Sequence, residues 1–310
     1  MVKLLNRAIL LAILLLVFGC GKKPEQTSNQ TGSTNSGSTN SGNTTEQQKN
    51  SAGENKQETK SKLPVIGSYT GGFTASVFDK SKDYVYENRI TVFIDSLAGD
   101  MMYGRSVVAG NNRPFRGKFT KEGDNYRAEV TEPGDDKYDG KFSFTVNIDP
   151  AQTNEIYMEG TWVSNDKKLD VTERKYNLYK KDFAYDPQHQ LPENVQWAEL
   201  YGSNPKFPDR IESLTSEVTK YNGSTTELKK EDLQNLYKGD LEMIRNAIYA
   251  RHGYSFKTRR VRFIFDQFVP WYMPISTDVR NELTELEKKN IDLIKRYEEH
   301  AEKYYDEYGR

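Results

Sequence analysis

One stretch decides the fold of the C-terminal region: residues 245–256, which read RNAIYARHGYSF. Upstream of it, Leu241 begins a series of apolar residues at three- and four-residue spacing, which is typical of the buried face of a helix. Asp240 is a good N-cap for such a helix, because its carboxylate can accept hydrogen bonds from the free amides of the first turn. Gly253 suits the left-handed residue that follows the end of a helix. The pattern predicts a helix, here called the signature helix, that begins after Asp240 and ends before Gly253.

The end of the signature helix has two interpretations. With Gly253 at the C′ position, Tyr254 can cover Tyr249, which is the apolar contact of a Schellman cap. Arg251 and His252 then lie in the last turn, where cations interact favourably with the helix dipole and can bond free carbonyl groups. The alternative is that Arg251 and His252 form an anion or acid–base site. The sequence favours the structural interpretation, because no second His, Cys or Ser accompanies this histidine in a recognisable catalytic spacing.

The same stretch resembles a known family. The letters YARHG at residues 249–253, with residues further along the chain, resemble the YARHG domain of bacterial exported proteins. The resemblance covers about residues 228–297 and implies a small all-α module outside the cytoplasm, frequently attached to lipoproteins. It brings no catalytic residue with it. The residues that match the signature are Arg245, Asn246, Tyr249, Arg251, His252, Gly253, Trp271, Glu287 and Asn290.

Asn290 is the polar member of the apolar stripe on the last predicted helix, about Thr277–Tyr305. A polar side chain on an inward stripe should be hydrogen-bonded, because an unsatisfied one costs about 1–3 kcal/mol. We therefore predict that Asn290 and Glu287 pair with Arg245, Asn246 or the carbonyl groups that end the signature helix. In this interpretation the signature marks a buried polar clasp between two helices.

The N-terminus has the pattern of an export signal, residues 1–19. Lys3 and Arg7 precede the apolar run Ala8–Phe18, which is too short to span about 30 Å of hydrocarbon as a stable helix. The letters LVFGC that end at Cys20 resemble a bacterial lipobox, which implies that Cys20 carries a diacylglycerol and becomes the first mature residue. An ordinary cleaved signal with an incidental cysteine is the alternative. The expected location is the cell envelope, with the protein anchored by lipid to a bacterial membrane and its folded domains outside the cytoplasm.

The rest of the chain divides into segments that differ in amino-acid composition and in the spacing of their apolar residues. Residues 20–62 form the lipidated cysteine and a tether of Ser, Thr, Asn, Gln, Gly, Lys and Glu, a composition typical of disorder. In residues 63–185 the apolar residues alternate with polar ones, as Phe142, Phe144 and Val146 do, and turn signals separate about eight such strands. Residues 186–223 are rich in proline and form a connector, and residues 224–310 form the helical domain. The predicted fold has two domains, an all-β antiparallel barrel-like meander followed by a small all-α YARHG domain.

Four carboxylates occupy one predicted turn of the β domain: Glu132, Asp135, Asp136 and Asp139. Their oxygen atoms could bind Ca²⁺, although their order and spacing depart from the EF-hand loop. The alternative, which the departure favours, is a solvated acidic hairpin. Apart from the acyl lipid on Cys20, we expect no cofactor.

Charge and motifs limit the function classes. A net charge of −1 and a pI of about 6.4 argue against a nucleic-acid partner, because phosphate binding needs a basic surface. The chain has no zinc-binding HExxH helix, no GxSxG elbow and no phosphate-binding glycine loop. The sequence favours a non-enzymatic binding or interaction module, tethered to the bilayer through Cys20, whose partner is an envelope glycan, peptide or protein. An envelope hydrolase acting on glycan or peptide and a scaffold without a small ligand are the alternatives.

Overall fold

The computed structural model of the chain describes residues 63–82, 84–149, 156–200, 203–204, 207–211 and 214–304. The predicted signal peptide, Cys20 and the tether lie outside these residues, so the lipid anchor stays a prediction. Among the residues described, no helix combines the length and the apolar character needed to cross a membrane.

Eight antiparallel strands form a closed barrel. Each strand pairs with the next one in the chain, and the first also pairs with the eighth. The strands are β1 Gly67–Phe78, β2 Glu87–Ala98, β3 Met101–Val108, β4 Asn111–Glu122, β5 Asn125–Thr131, β6 Gly140–Asn147, β7 Tyr157–Ser164 and β8 Val171–Lys180. The predicted antiparallel barrel is confirmed.

The alternation of the sequence is the reason that the barrel has a core. In β5, Tyr126, Ala128 and Val130 are buried, whereas Arg127 and Glu129 between them are exposed. Because successive residues of a strand point to opposite faces, one face of each strand fills the barrel and the other meets solvent.

The barrel has two ends, which we call the base and the mouth. The register pairs Tyr69 with Lys180, so that the start of β1 and the end of β8 lie together at the base. The hydroxyl of Tyr69 donates to the carbonyl of Val65 at 2.7 Å, and both side chains are fully buried there. Because neighbouring strands are antiparallel, the mouth carries the four connections 79–86, 109–110, 132–139 and 165–170.

The region after the barrel is mainly helical. Its helices are α1 Lys230–Leu233, α2 Lys238–Arg251, α3 Arg259–Phe268 and α4 Glu285–Tyr304, of which α2 is the signature helix. The connector contains short 3₁₀ turns at Trp197–Glu199 and Ser216–Thr219 and a two-stranded sheet, β9 Ser203–Asn204 with β10 Phe207–Ile211, which the sequence did not predict. The last helix begins later than the predicted Thr277, because residues 277–284 form turns before α4.

The sequence pattern predicted the end of α2 correctly and its start wrongly. The prediction for its start was wrong: Tyr237 is the N-cap, and Asp240 lies inside the first turn. The carboxylate of Asp240 accepts hydrogen bonds from the amide and hydroxyl of Thr215, at 2.6 and 3.1 Å, and so ties the helix to the connector. The predicted Schellman cap is confirmed, because Gly253 has φ 72° and the amide of Tyr254 donates to the carbonyl of Tyr249 at 3.1 Å.

The helical region packs along the side of the barrel, and both belong to one compact unit. Arg89 on β2 donates from Nη1 to the carbonyls of Val269 and Tyr272, at 2.9 and 2.7 Å. At the mouth, the amide of Gly110 donates to the hydroxyl of Ser255 at 3.0 Å. These bonds bring the start of α3 next to the mouth.

Candidate functional site

A cavity of about 640 Å³ opens at the mouth of the barrel. Its wall is built by the four mouth connections, by the adjacent ends of the strands, and by residues 257, 259 and 262 around the start of α3. A cavity of this size can hold a small organic molecule, since ligand pockets usually measure about 300–1,000 Å³. Barrel and helical region therefore share one concave surface.

The floor of the cavity is aromatic. Phe73, Phe142 and Trp162 point inward from β1, β6 and β7 and line it from below. The ring centroid of Phe73 lies 6.4 Å from that of Phe142 and 5.8 Å from that of Trp162. Closely packed rings of this kind give a rigid apolar surface on which a ligand can rest.

Arg174 on β8 is a buried cation of the cavity wall. Only 8% of the residue is exposed. Its Nη1 donates to the carbonyls of Phe73 and Tyr86, at 2.9 and 3.2 Å, and its Nη2 donates to the carbonyl of Val85 at 3.0 Å. Burial and, to a smaller extent, the nearby charge of Arg262 together lower the pKa of the Arg174 guanidinium to about 10. The group therefore stays positively charged at neutral pH.

Arg262 on α3 is another cation of the cavity wall. It is half-buried, its Nε donates to Oδ1 of Asn88 at 3.1 Å, and its Nη1 donates to the carbonyl of Lys257 at 3.0 Å. Since Asn88 belongs to β2, this side chain also fixes α3 to the barrel. The helical region thus supplies charge to a site whose floor belongs to the barrel.

The acidic turn is only partly the solvated hairpin that the sequence favoured, because residues 133–138 are exposed and the residues on either side of them are buried. Glu132 and Asp139 are buried, and only Asp135 and Asp136 are exposed. The carboxylate of Asp139 accepts hydrogen bonds from the amides of Gly134 and Asp136 and pairs with Arg113 at 2.8 Å. Among the residues described, no group of three His, Cys, Asp or Glu side chains is arranged to hold a metal ion. The structure thus gives no support to a Ca²⁺ site at this turn.

Glu132 lines the cavity wall with its bonds already made. Its carboxylate accepts hydrogen bonds from the hydroxyl of Ser106 at 2.7 Å, the amide of Gly140 at 2.8 Å and the indole N–H of Trp162 at 3.3 Å. Burial raises the pKa of Glu132 above its ordinary value, and these bonds oppose the rise. The carboxylate fixes three strands at the edge of the mouth.

The signature residues Arg251 and His252 lie in the interior of the helical region. His252 Nε2 lies 2.8 Å from Oε2 of Glu287, and its ring stacks on Tyr185 with centroids 4.3 Å apart. Arg251 donates from Nε to the carbonyl of His189 at 2.8 Å. Burial would raise the pKa of Glu287, but hydrogen bonds from His252, Ser224 and the Thr284 amide lower it to about 2. The side chains of Arg251 and His252 are almost fully buried, and they hold the connector against α2 and α4.

The predicted clasp needs a correction. The hydrogen bonds of Asn290 go to the loop before α1: its Oδ1 accepts from the amide of Leu228 at 2.9 Å, and its Nδ2 donates to the carbonyls of Gly223 and Thr226, each at 2.8 Å. Glu287 does reach the end of the signature helix, but its partner there is the His252 side chain, which was not among the predicted partners. Asn290 instead holds the loop that precedes α1.

The other signature residues have separate partners. Arg245 pairs with Glu298 on α4, with Nε 2.6 Å from Oε1. Asn246 donates to the carbonyl of Glu242 in its own helix at 2.9 Å. The indole N–H of Trp271 donates to the carbonyl of Gln190 at 2.7 Å. Together they stabilise the helical region.

A second cavity, of about 450 Å³, lies within the helical region beside Arg245, Asn246 and Tyr249. Two of the guanidinium groups in its wall are neutralised: Arg245 pairs with Glu298, and Arg280 pairs with Asp278 at 2.6 Å. The wall is charged but locally balanced, and it has no counterpart of Arg174. The mouth cavity is therefore the better candidate site.

Sequence reasoning missed Arg174 and Arg262, although one signal was available. Arg174, Tyr176 and Leu178 occupy alternate positions of β8 and are all buried. A cation in phase with two core residues must enter the barrel, because the side-chain period of a strand is two. For Arg262 there was no such signal, since its position at the mouth depends on how α3 packs against β2.

Comparison with known proteins places one part of the chain. No curated protein and no solved structure matches it. Residues 216–299 match the family model of the YARHG domain, a span that begins before the 228–297 expected from the sequence and ends slightly beyond it. The C-terminal region of this chain is therefore a YARHG domain.

Proposed function

We propose that the protein is a lipid-anchored binding protein of the cell envelope that holds a small molecule in the mouth cavity. The observation that carries the proposal is the combination, in one cavity of about 640 Å³, of an aromatic floor and a buried guanidinium. Binding sites for small molecules commonly join a rigid apolar surface to a few fixed polar groups, which give the ligand its orientation.

The lipid anchor is supported by the sequence at the N-terminus. The charged start, the short apolar run and Cys20 are the features on which bacterial lipoproteins are processed. The measurement that tests it is detergent-phase partitioning of the full chain expressed in a bacterium. Wild-type protein should enter the detergent phase, whereas Cys20→Ala should stay in the aqueous phase, and equal partitioning of the two would contradict the anchor.

The YARHG domain would then have a definite part in binding. It supplies Lys257, Arg259 and Arg262 to the cavity wall, while the hydrogen bonds of Arg89 and Gly110 hold it against the barrel. The buried bonds of His252 and Glu287 keep the domain rigid behind this surface. The domain acts as one wall of the ligand site.

A screen with two matched variants tests the binding function. The mature chain, starting at Cys20, is screened by thermal shift against envelope glycans, peptides and metabolites. Leu169→Trp places an indole at the rim of the mouth, and Leu97→Trp makes the same change near the base, where it leaves the cavity open. We expect a ligand whose stabilising effect is lost with Leu169→Trp and kept with Leu97→Trp. A stabilising ligand that is insensitive to Leu169→Trp would overturn the assignment of the cavity.

The alternative is an envelope hydrolase, and one observation favours it: Glu132 is a cavity carboxyl group whose pKa burial raises. A general acid needs this property. Against it, three fixed donors already occupy the carboxylate of Glu132. A hydrolase would release product from the ligand found in the screen, and Glu132→Gln would stop that release while binding continued. The binding function predicts that the ligand is recovered unchanged.

A further inference from the structure

The charges of the mouth cavity are unequal. Its wall contains seven Lys and Arg residues and three Asp and Glu residues. The barrel contributes Arg113, Lys137, Lys168 and Arg174, and the YARHG domain contributes Lys257, Arg259 and Arg262. The acidic residues are Glu132, Asp136 and Asp170. The cavity is thus positive although the whole chain has a net charge of −1.

Bonds within the protein reduce the acidic contribution further. Glu132 is held by three donors of its own, and Asp136 accepts from the amide of Tyr138 and from Arg113. Arg113 is neutralised by Asp139 and Asp136, at 2.8 and 3.3 Å. The charge that remains at the inner wall comes from Arg174 and Arg262.

Neither of these two guanidinium groups has a carboxylate within ion-pair distance among the residues that the structure describes. Within the same residues, Nε of Arg174 and Nη2 of Arg262 also have no hydrogen-bond acceptor, so each group keeps a donor unused. Burying an unpaired charge is costly, and folded proteins usually pair such a charge. These two cations, neither in an ion pair and close enough for one to affect the other, form a site that an anion would complete, although the buried Asp266 lies near Arg262.

We propose that the ligand is an organic anion whose carboxylate, phosphate or sulfate group binds Arg174 and Arg262 and whose apolar part lies on the aromatic floor. This proposal rests on the proposed binding function and adds the chemical class of the ligand. Guanidinium groups suit such anions, because their planar N–H donors match the geometry of carboxylate and phosphate oxygens. The floor of Phe73, Phe142 and Trp162 requires more than an inorganic ion, since only an organic body can cover it. Exposed cations at the rim, such as Lys137 and Lys168, would attract the ligand before it enters.

Matched compounds test the sign of the charge. Binding of naphthylacetate, naphthyl phosphate, naphthylacetamide and naphthylethylamine to the full chain in detergent is measured by calorimetry. The compounds share one ring system and differ mainly in charge. We expect both anions to bind at least about tenfold more tightly than the neutral amide, which corresponds to about 1.4 kcal/mol, and the amine to bind more weakly than the amide. A larger effect for one of the two anions would identify carboxylate or phosphate as the preferred group.

Three variants test which cations cause the preference for the acid over the amide. Arg174→Gln and Arg262→Gln each remove one inner cation, and we expect each to reduce the preference for the acid over the amide by about tenfold. Arg262→Gln keeps the test decisive if Arg174→Gln fails to fold, because Arg262 is only half-buried. Lys118→Gln removes an exposed cation from β4 outside the cavity and should leave the preference unchanged.

The outcomes separate the two proposals. Equal binding of acid and amide, or equal loss of preference in Lys118→Gln and Arg262→Gln, would overturn the anion while binding in the cavity stands. Binding of none of the four compounds, together with no ligand sensitive to Leu169→Trp in the screen, would overturn both.

Discussion

Replacement of Asn290 by leucine tests the polar core of the YARHG domain most directly. The amide side chain is fully buried and makes three hydrogen bonds, to the amide of Leu228 and to the carbonyls of Gly223 and Thr226. Leucine has the same branching at Cγ, so it fills a similar shape but makes none of these bonds. Asn290→Leu therefore leaves two buried backbone groups, the amide of Leu228 and the carbonyl of Gly223, and the more exposed carbonyl of Thr226 without this partner.

The magnitude follows from two opposing effects. Each buried backbone group that loses its partner costs about 1–3 kcal/mol, so that the two buried groups and the less costly Thr226 carbonyl together cost on the order of 5 kcal/mol. Burial of an apolar side chain returns about 2 kcal/mol. The expected loss of unfolding free energy is about 3 kcal/mol, which lowers the melting temperature by roughly 6–12 °C in a unit of this size.

The assay is thermal unfolding followed by far-ultraviolet circular dichroism. Asn246→Leu is the matched control, because Asn246 is also a buried asparagine of a helix but donates only to a carbonyl of its own helix. We expect the control to lose much less stability than Asn290→Leu. An unchanged or higher midpoint for Asn290→Leu, or equal losses in the two variants, would refute the reasoning that Asn290 holds the loop before α1.

Two further predictions concern the contact between the barrel and the YARHG domain. Gly110 has φ 74°, and a Cβ added there would lie 2.6 Å from Cβ of Lys257, whereas Gly123 has φ 63° with no atom within 4 Å of an added Cβ. Gly110→Ala should therefore lower the melting temperature more than Gly123→Ala, which costs only the left-handed strain of about 1–2 kcal/mol, and equal losses would contradict the close packing. Asp266 is buried against Arg89, its Oδ2 has no partner among the residues described, and burial raises its pKa from 3.8 to about 7. Because the folded state binds the proton of the Asp266 carboxyl group more tightly than the unfolded state, the contribution of this group to stability falls as pH rises from about 4 to about 7. Asp266→Asn should therefore gain stability relative to wild type over that range. A constant difference in melting temperature between pH 5 and pH 8 would contradict the raised pKa.

The sequence predicted those parts of the fold that local pattern determines. The period-two strands gave the barrel, and Gly253 with Tyr254 gave the end of α2, because alternation and capping depend on residues close together in the chain. The start of α2 was predicted wrongly, since Asp240 is the third residue of the helix, where its carboxylate accepts from the amide of the N-cap Tyr237 at 3.4 Å and also from the amide of Thr215 in the connector. The contact with Thr215 depends on tertiary packing and leaves no local pattern.

The candidate site was much less predictable. The sequence pattern places Glu132 in a solvated turn. Its hydrogen-bond partners Ser106 and Trp162, however, come from β3 and β7, which lie far away in the sequence. The inward position of Arg174 could have been inferred from its place among the alternate buried residues of β8. The position of Arg262 beside the mouth could not. A site built across two regions of the chain is visible only after they have packed together.

The chain enters and leaves the barrel at the same end. β1 begins and β8 ends at the base, yet Lys257 and Arg262 lie at the mouth, so the chain that follows β8 returns along the barrel to reach the opening. An attachment made through residues before Leu63 joins the barrel at the base. The mouth, and with it the cavity, lies at the opposite end of the barrel from this attachment.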